Sequence, residues 1–180
     1  MPRFVAFLRA INVGGRNVTM AALRAQFEAL GFSNVETFIA SGNVIFEAAS
    51  RDSAALHRKI EAHLAKSLGH EVFTFVRTDA EVAAIACYRP FTEKKLESAL
   101  AFNVAFLAEP MDAATSRSVQ NFNTDIDSFH VHGREVYWLC CKKQSESTFS
   151  NNAFEKALKL RATFRGMKTI KKLAAKYPPG

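Results

Sequence analysis

The residues best suited to chemistry stand near the start of the chain. Leu8-Arg-Ala-Ile-Asn12-Val-Gly14-Gly15-Arg16 sets two arginines, an asparagine and paired glycines between an apolar run and a capped helix start. Successive backbone N–H groups leading through a glycine turn into a helix form a natural seat for an anion. Arg9 and Arg16 would add charge-assisted hydrogen bonds. That chemistry is recognition of a phosphate or carboxylate, not a reaction. No GxxxxGK[ST] or GxGxxG run is present, so neither common nucleotide fingerprint supports it. A strand-to-helix turn that merely needs glycine explains Gly14 and Gly15 equally well.

Other candidates are weighed the same way. Read as part of the strand, Arg9 shares a face with Val5, Phe7 and Ile11, where a guanidinium needs a carboxylate, backbone carbonyls or a bound anion. Asn12 can brace the turn through its side chain. Ser41-Gly42-Asn43 fits a two-residue type II′ hairpin turn, which accounts for Gly42 and Asn43. No G-x-S-x-G surrounds Ser41 and no acid or histidine partner is assignable, so no catalytic residue is named. His130 and His132 share one face of a strand, as some metal sites require, but no third ligand has regular spacing. Neither a metal nor a cofactor is expected. Cys87, Cys140 and Cys141 are odd in number and lack CxxC spacing, which argues against a disulfide framework and for buried small apolar residues.

Charge points toward an acidic partner. Of the net +7, residues 1–141 contribute −1, with 14 Lys/Arg and 15 Asp/Glu. Residues 142–180 contribute +8, with ten Lys/Arg and two Asp/Glu. Lys168, Lys171, Lys172 and Lys176 lie on one side of an amphipathic terminal helix, with Arg165 and Thr169 nearby. Such a face suits phosphate, as does a merely solvated helix. No apolar run nears the roughly 20 residues of a membrane span, and the start does not read as a signal peptide. A cytoplasmic protein is expected.

The elements that must position these residues follow from periodicity and punctuation. Arg3–Ile11 reads as a central strand, Thr19–Leu30 as a capped helix, 35–40 and 44–48 as a hairpin, 52–68 as a helix and 71–77 as a strand. The order β-α-β-β-α-β predicts an α+β, ferredoxin-like subdomain over 1–78, an antiparallel sheet with helices on one face. Residues 79–180 are expected to form a second such subdomain. They read as a helix from 79 to about 88, a strand at 101–107, a helix from Pro110 to Phe122, a hairpin over 126–141, and helices near 152–160 and 166–177. No sequence repeat is evident, but the recurring order suggests a structural duplication whose sheets or edges would bury Phe-rich surface. The first subdomain lacks the basic-Gly-aromatic RNP1 pattern, so sequence-specific RNA reading is not expected.

Leu8–Arg16 resembles the signature of a bacterial family, the domain of unknown function family 1697, which typically reads Leu-Arg-Gly-Ile-Asn-Val-Gly-Gly-Lys. The resemblance continues through Met20–Arg24, Gly31–Val35 and Ser41–Val44, and more weakly through Ala105–Leu107 and Arg134–Tyr137. It implies two ferredoxin-like subdomains and no assigned activity. Ala10 replaces the family's usual glycine, a mild change by sequence. The C-terminal motif Thr-x-Arg-Asn-Trp-Asn-Thr is matched at Thr163, Arg165 and Thr169, but Gly166-Met167-Lys168 replaces Asn-Trp-Asn. The combined reading is a protein binding a phosphate-bearing ligand or nucleic acid. Its contacts would be Arg9, Asn12, Gly14, Gly15, Arg16, Ser41, Asn43, Arg165 and Thr169, with Lys168, Lys171, Lys172 and Lys176 as a basic surface. The alternatives are a small enzyme using Arg9, Asn12, Ser41 and Asn43 between the subdomains, and a structural or oligomerisation protein.

Overall fold

The computed structural model describes residues 1–12, 14–39 and 42–180. The chain divides into two compact units, Met1–Ile85 with Lys171–Gly180, and Ala86–Ile170. The first begins β1 (Arg3–Leu8), α1 (Met20–Ala29), β2 (Ser33–Thr37), β3 (Asn43–Glu47), α2 (Ser53–Leu68) and β4 (Thr74–Thr78), the expected β-α-β-β-α-β order. The strands form an antiparallel sheet in the order β2-β3-β1-β4. Thr19 caps α1 by accepting the Ala22 amide, Asp52 caps α2, and Gly69, at φ 75°, ends α2. Phe4, Ala6 and Leu8 of β1 bury against Leu23 and Phe27 of α1 and Leu56, Ile60 and Leu64 of α2. Val5, Phe7, Ile45 and Phe75, on the opposite face, are also buried. Burial on both faces explains why β1 reads as a continuous apolar run.

After α3 (Asp79–Cys87) come α4 (Glu93–Ser98), β5 (Ala101–Phe106), α5 (Ala113–Ser118), β6 (Asp127–His132), β7 (Glu135–Cys140), α6 (Asn151–Leu158), β8 (Thr163–Gly166) and α7 (Met167–Lys176). The second sheet runs β6-β7-β5-β8, again antiparallel. Its helix-side core gathers Phe129, Trp138 and Phe154, with Phe149 and Phe164 packed against them. Asp127 is buried beneath this cluster. Its carboxylate accepts from Trp138 Nε1 (2.8 Å), Thr124 Oγ1 (2.9 Å) and Ser147 Oγ (2.8 Å).

Several expectations are corrected here. α5 starts three residues after Pro110 because Asp112 supplies the cap, accepting the Thr115 amide at 2.7 Å. α4, capped by Thr92, occupies a stretch too short and too polar for periodicity to reveal. β8 was not expected: its four residues carry no visible alternation, and they are a strand because the edge of β5 pairs with them.

Aligning the registers reveals a repeat. Val5-Ala-Phe-Leu8 and Val104-Ala-Phe-Leu107 hold equivalent places in the two sheets. Val5 faces Arg77 across to β4, and Val104 faces Arg165 across to β8. Each arginine donates through Nη1 to the carbonyl of the residue before it, Val76 (3.0 Å) and Phe164 (2.9 Å). The edges of these last strands are closed alike. Glu61 Oε1 accepts the Thr74 N–H at 2.8 Å, and His57 Nδ1 donates to the Thr74 carbonyl at 2.5 Å. In the second unit Glu155 Oε2 accepts the Ala162 N–H at 3.4 Å, and Asn151 Nδ2 donates to the Ala162 carbonyl at 3.1 Å. Both clamps use helix residues four apart, which stand one above the other on one face.

Removing a clamp strands a buried amide. Glu61→Ala is expected to lower stability by about 1–3 kcal/mol in urea unfolding and to bring concentration-dependent self-association by light scattering. Glu61→Gln keeps an acceptor and should retain most of the stability. Asp127→Ala, which orphans three donors, should lose at least about 3 kcal/mol on the same measurement.

Candidate anion-binding site

β1 stops at Leu8, so Arg9 is not a charge inside the strand. It lies just beyond, half-buried, with its N–H on the Phe73 carbonyl at 2.8 Å. The deeply buried charge is Arg77, only 1% exposed, on a strand whose arginine the sequence reading did not single out. Ala10 follows at φ 54°, in the left-handed region. Asn12 then accepts the Val18 amide at 2.8 Å, the bracing role expected of it. Gly14 and Gly15 have φ of 64° and 75°, and a Cβ added to either would meet nothing within 4 Å. Backbone angle, not a close approach, is therefore what demands glycine here. Arg16 is exposed. Asn12 and Thr19 between them already occupy the amides of Val18 and Ala22, so the turn is held from within.

The β2–β3 connection differs from the two-residue turn expected. Phe38 N–H bonds to the Asn43 carbonyl at 3.0 Å, so four residues, not two, lie between the paired positions. Asn43 belongs to β3, is 3% exposed, and its amide donates to the carbonyls of Phe38 (3.0 Å) and Ile39 (3.1 Å). Ser41 lies outside the described residues. The Leu8 N–H bonds to the Gly42 carbonyl at 2.8 Å, which brings this loop beside the end of β1 and the start of the glycine segment.

The remaining candidates lie on β8 and α7. Arg165 donates to Thr163 Oγ1 at 2.7 Å as well as to Phe164, and burial pulls its guanidinium down to about 10. Thr169 is half-buried, while Lys168, Lys171 and Lys172 are exposed. Lys176 is committed elsewhere, in an ion pair with Glu36 at 3.3 Å and with its ammonium over the rings of Phe38 and Tyr177. The Tyr177 hydroxyl also donates to Glu36 and is the main reason its carboxyl titrates below the usual range. Among the described residues, no group of three or more His, Cys, Asp or Glu could hold a metal ion. Cys140 is buried and burial pushes its thiol up, Cys141 is half-buried and Cys87 is exposed. Also among the described residues, no helix is long and apolar enough to cross a membrane.

Residues 1–137 match the family model described as protein of unknown function (DUF1697). The chain belongs to this family. The match contains the whole glycine segment and ends within β7, before the basic tail. Over 98% of both chains the fold is similar to that of a conserved bacterial protein, SP0830 from Streptococcus pneumoniae, with a TM-score of 0.75 and 22% identity. No curated protein matches the chain.

The family pattern carried one signal that sequence alone undervalued. Where the family usually has glycine, this chain places Ala10 in a conformation that costs an L-residue about 1–2 kcal/mol. Glycine's larger unfolded-state freedom returns roughly 0.4–1 kcal/mol of that cost. Ala10→Gly should therefore stabilise the protein by about 0.5–1 kcal/mol in urea unfolding, and Ala10→Val should destabilise it.

Proposed function

We propose that the protein binds a phosphate-bearing ligand, nucleic acid foremost, through the exposed lysines of α7. The carrying observation is the spacing of Lys168, Lys171 and Lys172 on the exposed side of that helix, opposite the buried Ile170 and Leu173. No acidic residue occurs from Met167 to Gly180. A phosphate backbone meets such a row by displacing counterions, which needs no pocket and no base reading. Lys176 is left out because Glu36 already neutralises it. Arg16, exposed beside Gly14 and Gly15, is offered as a separate contact, since the turn's own side chains have taken two nearby amides.

Binding to duplex DNA, single-stranded RNA and a nucleotide panel, each measured across a salt series, tests this reading. Replacing Lys168, Lys171 and Lys172 together by Gln should reduce the salt slope by about 2.7 for duplex DNA and about 2.1 for single strands. Arg16→Gln should reduce it by about 0.9 for duplex DNA if that contact is made. The absence of salt-dependent binding to every probe, or an unchanged slope in the triple variant, overturns it.

A further inference from the structure

The internal repeat extends to the residues that hold the outer strand of each sheet. Glu36 of β2 and His130 of β6 are equivalent: they face Ile45 and Tyr137, which in turn face Val5 and Val104. Each meets a tyrosine hydroxyl from the first residue after a helix. Tyr177, after α7, bonds to Glu36, and Tyr88, after α3, bonds to His130 Nε2 at 2.9 Å. Two residues farther along, Phe38 and His132 are also equivalent. Tyr177 meets Phe38 edge-on at 6.1 Å, and Tyr88 stacks on His132 at 4.1 Å and 15°. The two latches share one design but differ in their acceptor, a carboxylate in one and an imidazole in the other.

We propose that Tyr88, His130 and His132 form a pH-sensitive latch that loosens the end of α3 when His130 gains a proton, whereas the Tyr177–Glu36 latch stays closed over the same range. A neutral imidazole offers Nε2 a lone pair for the Tyr88 hydroxyl, and protonation replaces that acceptor with a second donor. The surroundings give the new charge little help. On its own strand His130 has His132 and Ser128 on the same face. From β7 come Tyr137, tilted against Tyr88 at 5.1 Å, and Glu135, whose register sets it opposite His132. From the segment after α3 come Tyr88, the Phe91 ring at 6.3 Å, and Lys95, whose ammonium lies 3.1 Å from Ser128 Oγ. Burial first, and the neighbouring His132 second, draw His130 below the usual imidazole value. A base depressed in this way adds stability above about pH 6.5, and that stability drains away as pH falls below it. Glu36 behaves oppositely: Tyr177 and Lys176 keep it ionised, so its latch holds until far more acidic conditions.

Hydrogen exchange of segments 80–91 and 172–178, corrected for intrinsic rates between pH 8 and 5.5, distinguishes the two latches. In the unmodified protein, protection at 80–91 should fall by up to about tenfold for each pH unit by which His130 is depressed, while 172–178 stays constant. His130→Glu, which installs the other latch's acceptor, should make 80–91 independent of pH in this range. Tyr88→Phe keeps the ring and removes only the hydroxyl. It should lower protection at pH 8 toward the unmodified protein's acidic value, which serves should the Glu variant fail to fold. A pH-independent 80–91 segment in the unmodified protein overturns the proposal. So does an undiminished pH response in Tyr88→Phe.

Discussion

A four-stranded sheet has two edges, and each edge is a row of amide and carbonyl groups facing away from the strand's neighbour. In a chain with two such sheets this is the constraint on which the rest depends. Unsatisfied edges invite another strand, and buried ones cost the full desolvation of each group. Here helices serve as more than lids over apolar faces. α2 and α6 reach the last strands with an acceptor and a donor four residues apart, and close them. At β6 the preceding segment does the same work, with Asn123 accepting the Phe129 amide and Gln120 donating to its carbonyl. The helix positions therefore answer to two demands at once, core packing and edge closure.

The first sheet was legible in the sequence because its signals are local. Thr19 and Asp52 announce helix starts, Gly69 announces an end, and the apolar spacing between them has one helical period. Arg9 and Arg77 show where local signals stop. Both follow apolar residues, but β1 ends at Leu8, before Arg9, whereas Arg77 lies within β4, opposite Val5, and is buried. β8 was hidden for a related reason, since four residues become a strand through a partner about sixty positions earlier. The Val-Ala-Phe-Leu repeat is short enough to pass as chance until the pairings align it.

The candidate site divides along the same line. The spacing of lysines on α7 could be read from the chain, as could the bracing role of Asn12. That Lys176 is spent on Glu36, 140 residues away, could not. Nor could Asn43 be seen as a strand residue, because its turn chemistry looked complete at short range while its amide serves the carbonyls of Phe38 and Ile39. Ala10 is the intermediate case: the resemblance flagged the missing glycine, and only the backbone angle shows its cost.

The clamps also order events in time. β4 completes its sheet once 78 residues exist, and its helix α2 is already upstream to receive it. β8, at 163–166, closes the second sheet in the same way, with its helix α6 already upstream. During synthesis β1 and β5 must each wait with one flank open while some sixty residues emerge. At several residues per second that interval lasts seconds, far longer than a hairpin takes to form. Each half of this protein thus passes through a stage of synthesis in which its nascent form needs shielding from its own neighbours on the ribosome.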